Sequence, residues 1–207
     1  MNVSTKAAST DALVIYFIRH GETAWSLTRR HTGISDIGLT PHGEEQARKV
    51  GISLGPIAFS TILASPRERA RRTCELADLA TPSTIDSDLA EWDYGDYDGR
   101  TSIEIRQQRP GWEVFRDGCP GGETPQQISG RADRLIAKVS RLGGTIALFS
   151  HGQFGCVFAA RWIGLAVIEG QHFSLGPASL NILGFNADHP EIAVITRMNQ
   201  APYTRAR

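Results

Sequence analysis

Apolar residues run without alternation from Val14 to Ile18 and stop at Arg19, His20 and Gly21. A strand with no polar alternate has both faces covered, which is the mark of a parallel sheet between layers of helix. Thr145–Phe149 repeats the design and stops at Ser150-His-Gly152. If the two strands share one parallel sheet, both imidazoles leave it at the carboxyl edge, where open α/β sheets bind ligands. Gly21 is expected to free the turn and to let a ligand approach the backbone.

Helical patterns fall between these strands. Thr40 as cap, Pro41 at the first position and Glu44 and Glu45 in the first turn predict a helix to about Leu54, ended by Gly55-Pro56. Phe59–Ala64 reads as a strand. Ser65-Pro-Arg-Glu68 then reads as a capping box, with Pro66 opening a helix to about Leu79 and Arg69 in its first turn. Trp25–Gly38 is polar and reads as a loop over the sheet edge. From Leu89 to Glu123 the period is lost, and aromatics sit among glycines and prolines. This stretch is expected to be a lid, with a short helix near Ser102–Gln108. Thr124 caps a helix to Leu142, and another runs from about Gln153 to Ile163. Ala178–Phe185 and Ile192–Arg197 read as late strands around an Asp188-His-Pro190 turn. The prediction is an α/β fold of three layers, a mostly parallel central sheet with helices on both faces. Residues 1–11 are expected to be a disordered tail and 12–207 one domain, with the lid inserted at about 92–123.

Composition narrows the partners. In 207 residues, 22 Lys and Arg balance 22 Asp and Glu, which argues against a general nucleic-acid binder. Apolar residues make up 41%, enough for a sizeable core, yet no run approaches the length of a membrane span. The three cysteines are odd in number and include no C-x-x-C pair, so a reducing, cytoplasmic setting is expected. Self-association into a homo-oligomer is compatible with all of this.

Two histidines and an arginine at one sheet edge suit an anion that is both held and attacked. A nucleophilic imidazole needs one nitrogen free and the other held by an acceptor, and loop carbonyls beside His20 could supply that acceptor. Transfer of a phosphoryl group spreads charge over its oxygens, so cations must surround it. Arg19, Arg69 and His151 are the candidates. A leaving alkoxide needs a proton, and Glu91 could give it if burial raises its pKa.

Four segments carry a resemblance. Arg19-His-Gly-Glu-Thr23 resembles the signature of the histidine phosphatase superfamily, which includes cofactor-dependent phosphoglycerate mutases. Ser65-Pro-Arg-Glu-Arg-Ala-Arg-Arg-Thr73 resembles its second motif, with the phosphate-binding arginine at Arg69. Glu91-Trp-Asp-Tyr-Gly95 resembles the proton-donor segment, and Ser150-His-Gly152 the second-histidine motif. The resemblance implies a phosphoglycerate mutase-like fold and catalysis by His20, Glu91, Arg19, Arg69 and His151. It implies substrate contacts at Ser26, Thr32, Gly33, Tyr94, Arg116 and Gly152, with no cofactor and no metal. Residues 91–99 and 115–124 look most similar to phosphatases acting on sugar phosphates, including the sedoheptulose-bisphosphatase-like group. Mutases carry a lysine and paired arginines that hold a glycerate carboxylate. Here Ser102 stands near the lysine's place and Arg116 alone represents the pair, so a sugar-phosphate phosphatase is expected ahead of a mutase.

Plainer readings stand beside these. Trp92, Tyr94 and Tyr97 could line a sugar pocket or pack a loop. Glu22 reads as a partner of a site Arg or His rather than as the acid. His31 touches substrate or covers the loop, and Arg67, Arg71 and Arg72 read as a solvated helix face. His20-Gly-Glu22 fits the start of a zinc deaminase motif, but no P-C-x-x-C follows. A P-loop pattern is absent. A non-catalytic phospholigand binder is the rival from another class. It would need a replaced residue among His20, Arg69, Glu91 and His151, and all four are present.

Overall fold

The computed structural model describes residues 13–202, so the expected tail at 1–11 lies outside the described residues. A six-stranded sheet has the order β3-β2-β4-β1-β5-β6. Its strands are β1 (Val14–Arg19), β2 (Thr61–Ala64), β3 (Ser83–Ile85), β4 (Thr145–Ser150), β5 (Leu180–Phe185) and β6 (Ala193–Gln200). β1 to β4 pair in parallel, and β5 runs against β1 and β6. The expected mostly parallel α/β sheet is therefore present. β3 was not foreseen, because its three residues are all exposed and carry no apolar pattern.

Helices cover both faces. On one, Ile18, Ile62, Ala147 and Phe149 meet α2 (Pro41–Leu54) and α3 (Glu68–Ala77) through Val50, Leu54, Cys74 and Ala77. On the other, Ile15, Phe17, Ile146 and Leu148 meet α6 (Pro125–Leu142) and α7 (Gly152–Trp162). α6 buries Ile128, Ala132, Leu135 and Val139, three or four residues apart, as a helix must to show one face to a sheet. Its N-terminus is a full capping box: the Thr124 hydroxyl accepts from Gln127 N, and the Gln127 side chain accepts from Thr124 N.

The segment after β3 is a wall rather than a loose cover. Short helices α4 (Ser102–Gln108) and α5 (Val114–Asp117), with 3₁₀ turns at Ser87–Leu89 and Gly95–Tyr97, send Ile105, Trp112 and Phe115 into the main core. Trp92 is fully buried, and its indole N–H donates to Glu123 O at 3.0 Å. Arg131 on α6 ties this wall down. Its guanidinium grips Glu123 in a two-point ion pair at 2.9 and 2.7 Å. It also donates to the carbonyls of Asp88, Ala90 and Glu91, and its plane lies 4.5 Å above the Phe154 ring.

Three expectations change. Ser65 does not cap α3, which starts at Glu68 after Arg67. The Ser65 hydroxyl is taken by His151, and Asp36, from the loop after β1, accepts the Glu68 N–H instead. Gly21 does not adopt a left-handed conformation, and its lack of a side chain answers to a backbone contact. A Cβ there would stand 2.4 Å from Gly43 O, and one on Gly43 would stand 2.1 Å from Glu22 O. The loop after β1 thus crosses the first turn of α2 backbone against backbone. The loop read at Trp25–Gly38 also opens with one helical turn, α1 (Ala24–Leu27), capped by Thr23.

Removing one partner of a buried ion pair strands the other charge. Arg131→Ala is therefore expected to lower unfolding stability by about 3 kcal/mol in urea titration, while Arg134→Ala, at an exposed pair on the same helix, changes it by less than about 1 kcal/mol.

Candidate active site

β1 and β4 are paired so that Arg19 lies opposite Ser150. The next residue on each strand is a histidine, and the bond from His20 N to Ser150 O continues the ladder one step. The two imidazoles end with ring centroids 5.2 Å apart. β2, on the far side of β4, brings Ser65 to the same edge, where its hydroxyl meets His151 Nε2 at 2.7 Å.

His20 Nδ1 lies 2.7 Å from the carbonyl of Gly21. That carbonyl only accepts, so Nδ1 carries the proton and the Nε2 lone pair is free. Burial pushes the His20 pKa well below 6.5, and the charges of Arg69 and Arg19 push it further. His151 is lowered by burial, then by Arg69 and His20. Both rings are neutral at pH 7, so His20 Nε2 presents its lone pair without prior deprotonation. Ser65 Oγ accepts from Arg67 N, and among the described residues His151 Nε2 is the one acceptor in reach of its hydroxyl proton, an arrangement that places the His151 proton on Nδ1.

Arg69 is fully buried at the start of α3. It donates to the carbonyls of Thr32, Gly33 and Ser35 at 2.8, 3.2 and 3.0 Å. Asp98 pins that loop by accepting from the backbone N–H groups of Gly33 and Ser35 at 2.6 and 3.0 Å. Arg19 donates to Leu175 O, and Gly152 leaves room beside it, since a Cβ there would lie 3.2 Å from the guanidinium carbon. Among the described residues, five buried side-chain polar atoms lack a partner, and three are Arg19 Nε, Arg69 Nε and His151 Nδ1. Buried donors are ordinarily paired, so three unpaired donors on the three residues expected around His20 are the complement of an anion.

Glu91 sits where the wall meets α7. Its Oε1 accepts from Trp92 N and Phe154 N at 2.9 and 2.7 Å, and Oε2 accepts from Gln153 N at 3.1 Å. The α7 N-terminus therefore fixes the carboxylate, and one Oε2 lone pair remains for a proton.

Arg19, His20 and Glu91 border a cavity of about 380 Å³. Ser26, Thr32, Tyr94 and Gly152 border it too, as do His31 and Ser102. Burial and then Glu91 raise the Tyr94 pKa well above 10, so its hydroxyl stays a donor. Cys156 also borders the cavity, but burial and Glu91 push its thiol up to about 12, which leaves it unreactive. Arg69 and His151 do not border the cavity, and both are fully buried. Gly33 serves Arg69 and Asp98 through its backbone. Arg116 does not reach the cavity; it is 59% exposed and paired with Asp117. Trp92 packs in the core, Tyr97 stacks edge-on against Trp112, and Glu22 accepts from the Thr40 hydroxyl rather than from a site Arg or His.

Several neighbours had no sequence signal. Leu175 reaches Arg19 through a carbonyl, which no side chain announces. Gln153 acts on Glu91 through its N–H. Ser65 had a signal that pointed elsewhere, its place before Pro66. Among the described residues no group of three or more His, Cys, Asp or Glu is placed to hold a metal ion, and no helix is long and apolar enough to cross a membrane.

The comparisons with known proteins agree with this geometry. The acid phosphatase of Mycobacterium tuberculosis is 40% identical over 185 residues, covering 87% of this chain and 91% of that protein. The sedoheptulose 1,7-bisphosphatase of Saccharomyces cerevisiae is 39% identical over 185 residues, covering 72% of this chain and 67% of that protein. The solved structure of the open reading frame Rv3214 of M. tuberculosis superposes with a TM-score of 0.86 at 35% identity, over 92% of this chain and 99% of that one. A family profile described as the histidine phosphatase superfamily, branch 1, matches residues 15–197. The chain belongs to that superfamily and is one of its phosphatases.

Proposed function

We propose that this phosphatase hydrolyses a small phosphorylated sugar through a phosphohistidine on His20. The observation that carries the reading is the set of unpaired buried donors on Arg19, Arg69 and His151, gathered around an imidazole whose Nδ1 is held and whose Nε2 is free. In the first step His20 Nε2 attacks phosphorus. The bond from phosphorus to the ester oxygen breaks as Glu91 gives that oxygen a proton. In the second step water attacks the phosphohistidine and loses a proton to Glu91. The phosphorus–nitrogen bond breaks, phosphate leaves, and Nε2 regains its lone pair. Arg19, Arg69 and His151 hold the equatorial oxygens in both steps.

The sugar-phosphate part rests on the likeness to the sedoheptulose 1,7-bisphosphatase and on a polar cavity of suitable size. Mutase action is the second reading. Mutases hold the carboxylate with a lysine and paired arginines, but here Ser102 borders the cavity near the lysine's place and Arg116 is exposed and paired with Asp117. A reducing, cytoplasmic setting fits the three cysteines, all free and buried.

His20→Ala is expected to reduce turnover of p-nitrophenyl phosphate by more than about 10³-fold, with wild-type activity inhibited by vanadate and insensitive to chelator. Retained activity in that variant, or loss to chelator, would end the proposal. Glu91→Gln is expected to cost about 10²–10⁴-fold on an alkyl phosphate, whose leaving oxygen needs a proton. The cost should be much smaller in the first step with p-nitrophenyl phosphate, whose leaving group departs as an anion; equal losses in that step would exclude Glu91 as the acid.

The histidine pKa directions set a pH dependence. A lowered pKa in the folded state means that the unfolded chain takes up protons first as pH falls below 6.5. Stability is then full above pH 6.5 and declines below it, by at most about 1.4 kcal/mol per pH unit for each buried ring. His31, lowered to about 4 by burial and then Arg106, adds to the decline. NMR titration should show His20 still neutral on passing through pH 6.5; protonation at or above that pH would contradict the geometry.

A further inference from the structure

Three neighbouring parallel strands each deliver a polar residue to the same edge. β1 is followed by His20, β4 by His151, and β2, on the far side of β4, by Ser65. Each of the outer two is fixed one step beyond its last ladder pair: His20 N donates to Ser150 O and Ser65 N to Phe149 O, both at 2.9 Å. The reaction drawn above uses the two histidines and leaves Ser65 without a task. Ser65 is fully buried, does not border the cavity, and is not the cap of α3, since Asp36 accepts the Glu68 N–H. Burying a hydroxyl costs free energy unless its hydrogen bonds are made, so the bonds it makes are the place to look for its role.

Those bonds run in one direction. Arg67 N donates to Ser65 Oγ at 3.2 Å, the Ser65 hydroxyl donates to His151 Nε2 at 2.7 Å, and His151 Nδ1 ends the chain with no protein partner. The chain starts at a backbone N–H, which can only donate, so the fold sets its direction, and each bond polarises the next. With Nε2 engaged as an acceptor, the single proton of the neutral ring belongs on Nδ1. The opposite tautomer would leave the Ser65 proton without an acceptor among the described residues. It would also turn a Nδ1 lone pair toward the phosphoryl oxygens, which it would repel. His20 shows the mirror of this device. There a carbonyl accepts from Nδ1 and leaves Nε2 as a lone pair; here a hydroxyl donates to Nε2 and leaves Nδ1 as a donor. Two rings 5.2 Å apart thus receive opposite characters from opposite partners, one a nucleophile and the other a donor to the anion.

We propose that Ser65 is the positioning residue of His151: by donating to Nε2 it holds the ring as a Nδ1–H donor to the phosphoryl oxygens, and this hydroxyl, which touches no substrate, thereby governs the rate of both steps. This rests on the phosphatase reading above and adds a residue that acts through another.

The test reads the tautomer of each ring by NMR, from two-bond proton–nitrogen correlations of isotopically labelled histidine at neutral pH. It compares wild type, Ser65→Ala and Ser65→Thr, with kcat/KM on p-nitrophenyl phosphate and vanadate affinity measured alongside. Wild-type His151 should carry its proton on Nδ1. In Ser65→Ala that proton should move wholly or partly to Nε2, while His20 keeps its own on Nδ1. The same variant should lose about ten- to a hundredfold in kcat/KM and in vanadate affinity together, as expected when a buried acceptor loses its partner. Ser65→Thr keeps the hydroxyl and should restore the tautomer and most of the rate. A serine that serves packing alone would leave the His151 tautomer where it was in Ser65→Ala, and that result would overturn the proposal. So would a wild-type His151 protonated on Nε2, an unchanged kcat/KM in Ser65→Ala, or a folded Ser65→Thr with no recovery. Failure of the phosphatase reading itself would show separately, as p-nitrophenyl phosphate turnover that survives His20→Ala, since the tautomers are read without turnover.

Discussion

The pairing of β1 with β4 sets everything else at this edge. Arg19 opposite Ser150 makes His20 and His151 the first residues beyond the ladder on neighbouring parallel strands. Side chains one step beyond paired residues must emerge together, and a slip of one residue would turn them to opposite faces of the sheet. The register is held by side chains buried on both faces: Phe17 and Leu148 on one, Ile18 and Phe149 on the other. The large core therefore fixes the separation of the two imidazoles.

Around that pair the protein spends polar groups on orientation. Arg69 is held by three carbonyls of a loop that Asp98 pins. Glu91 is held twice over, by N–H groups of α7 at its carboxylate and by Arg131 at its carbonyl. Arg131 also grips Glu123, whose Oε2 accepts from Asp93 N, so both ends of Glu91–Asp93 are fixed by one buried pair. Groups fixed before substrate arrives need little reorganisation when charge develops, which is how such a site stabilises a transition state.

Much of this frame is legible in the sequence, and the reasons are local. β1 and β4 show because strands covered on both faces leave unbroken apolar runs. α6 shows because Thr124, Pro125 and Gln127 each suit their place in a helix start. His20, His151, Arg69 and Glu91 show because each lies at the end of a strand or the start of a segment with a recognisable motif. What escaped depends on residues far apart in the chain. Ser65 looks like a cap because Pro66 and Glu68 follow, but His151, 86 residues away, claims its hydroxyl. Asp36 caps α3 from 32 residues upstream. Arg131 reads as one more charge on an amphipathic helix until Glu123 and the carbonyls at 88, 90 and 91 converge on it. Arg116, expected at the substrate, turns outward because Asp117 is its immediate neighbour.

The proposed reaction turns on a covalent bond between phosphorus and one ring nitrogen. The most direct measurement is rapid acid-free quenching of the enzyme during turnover, followed by mass spectrometry of its peptides under conditions that preserve phosphoramidates. A phosphoryl group on His20, labile to acid and stable to base, is the predicted result. A phosphoryl group on any other residue, or none at any time in a turnover that proceeds, would contradict it.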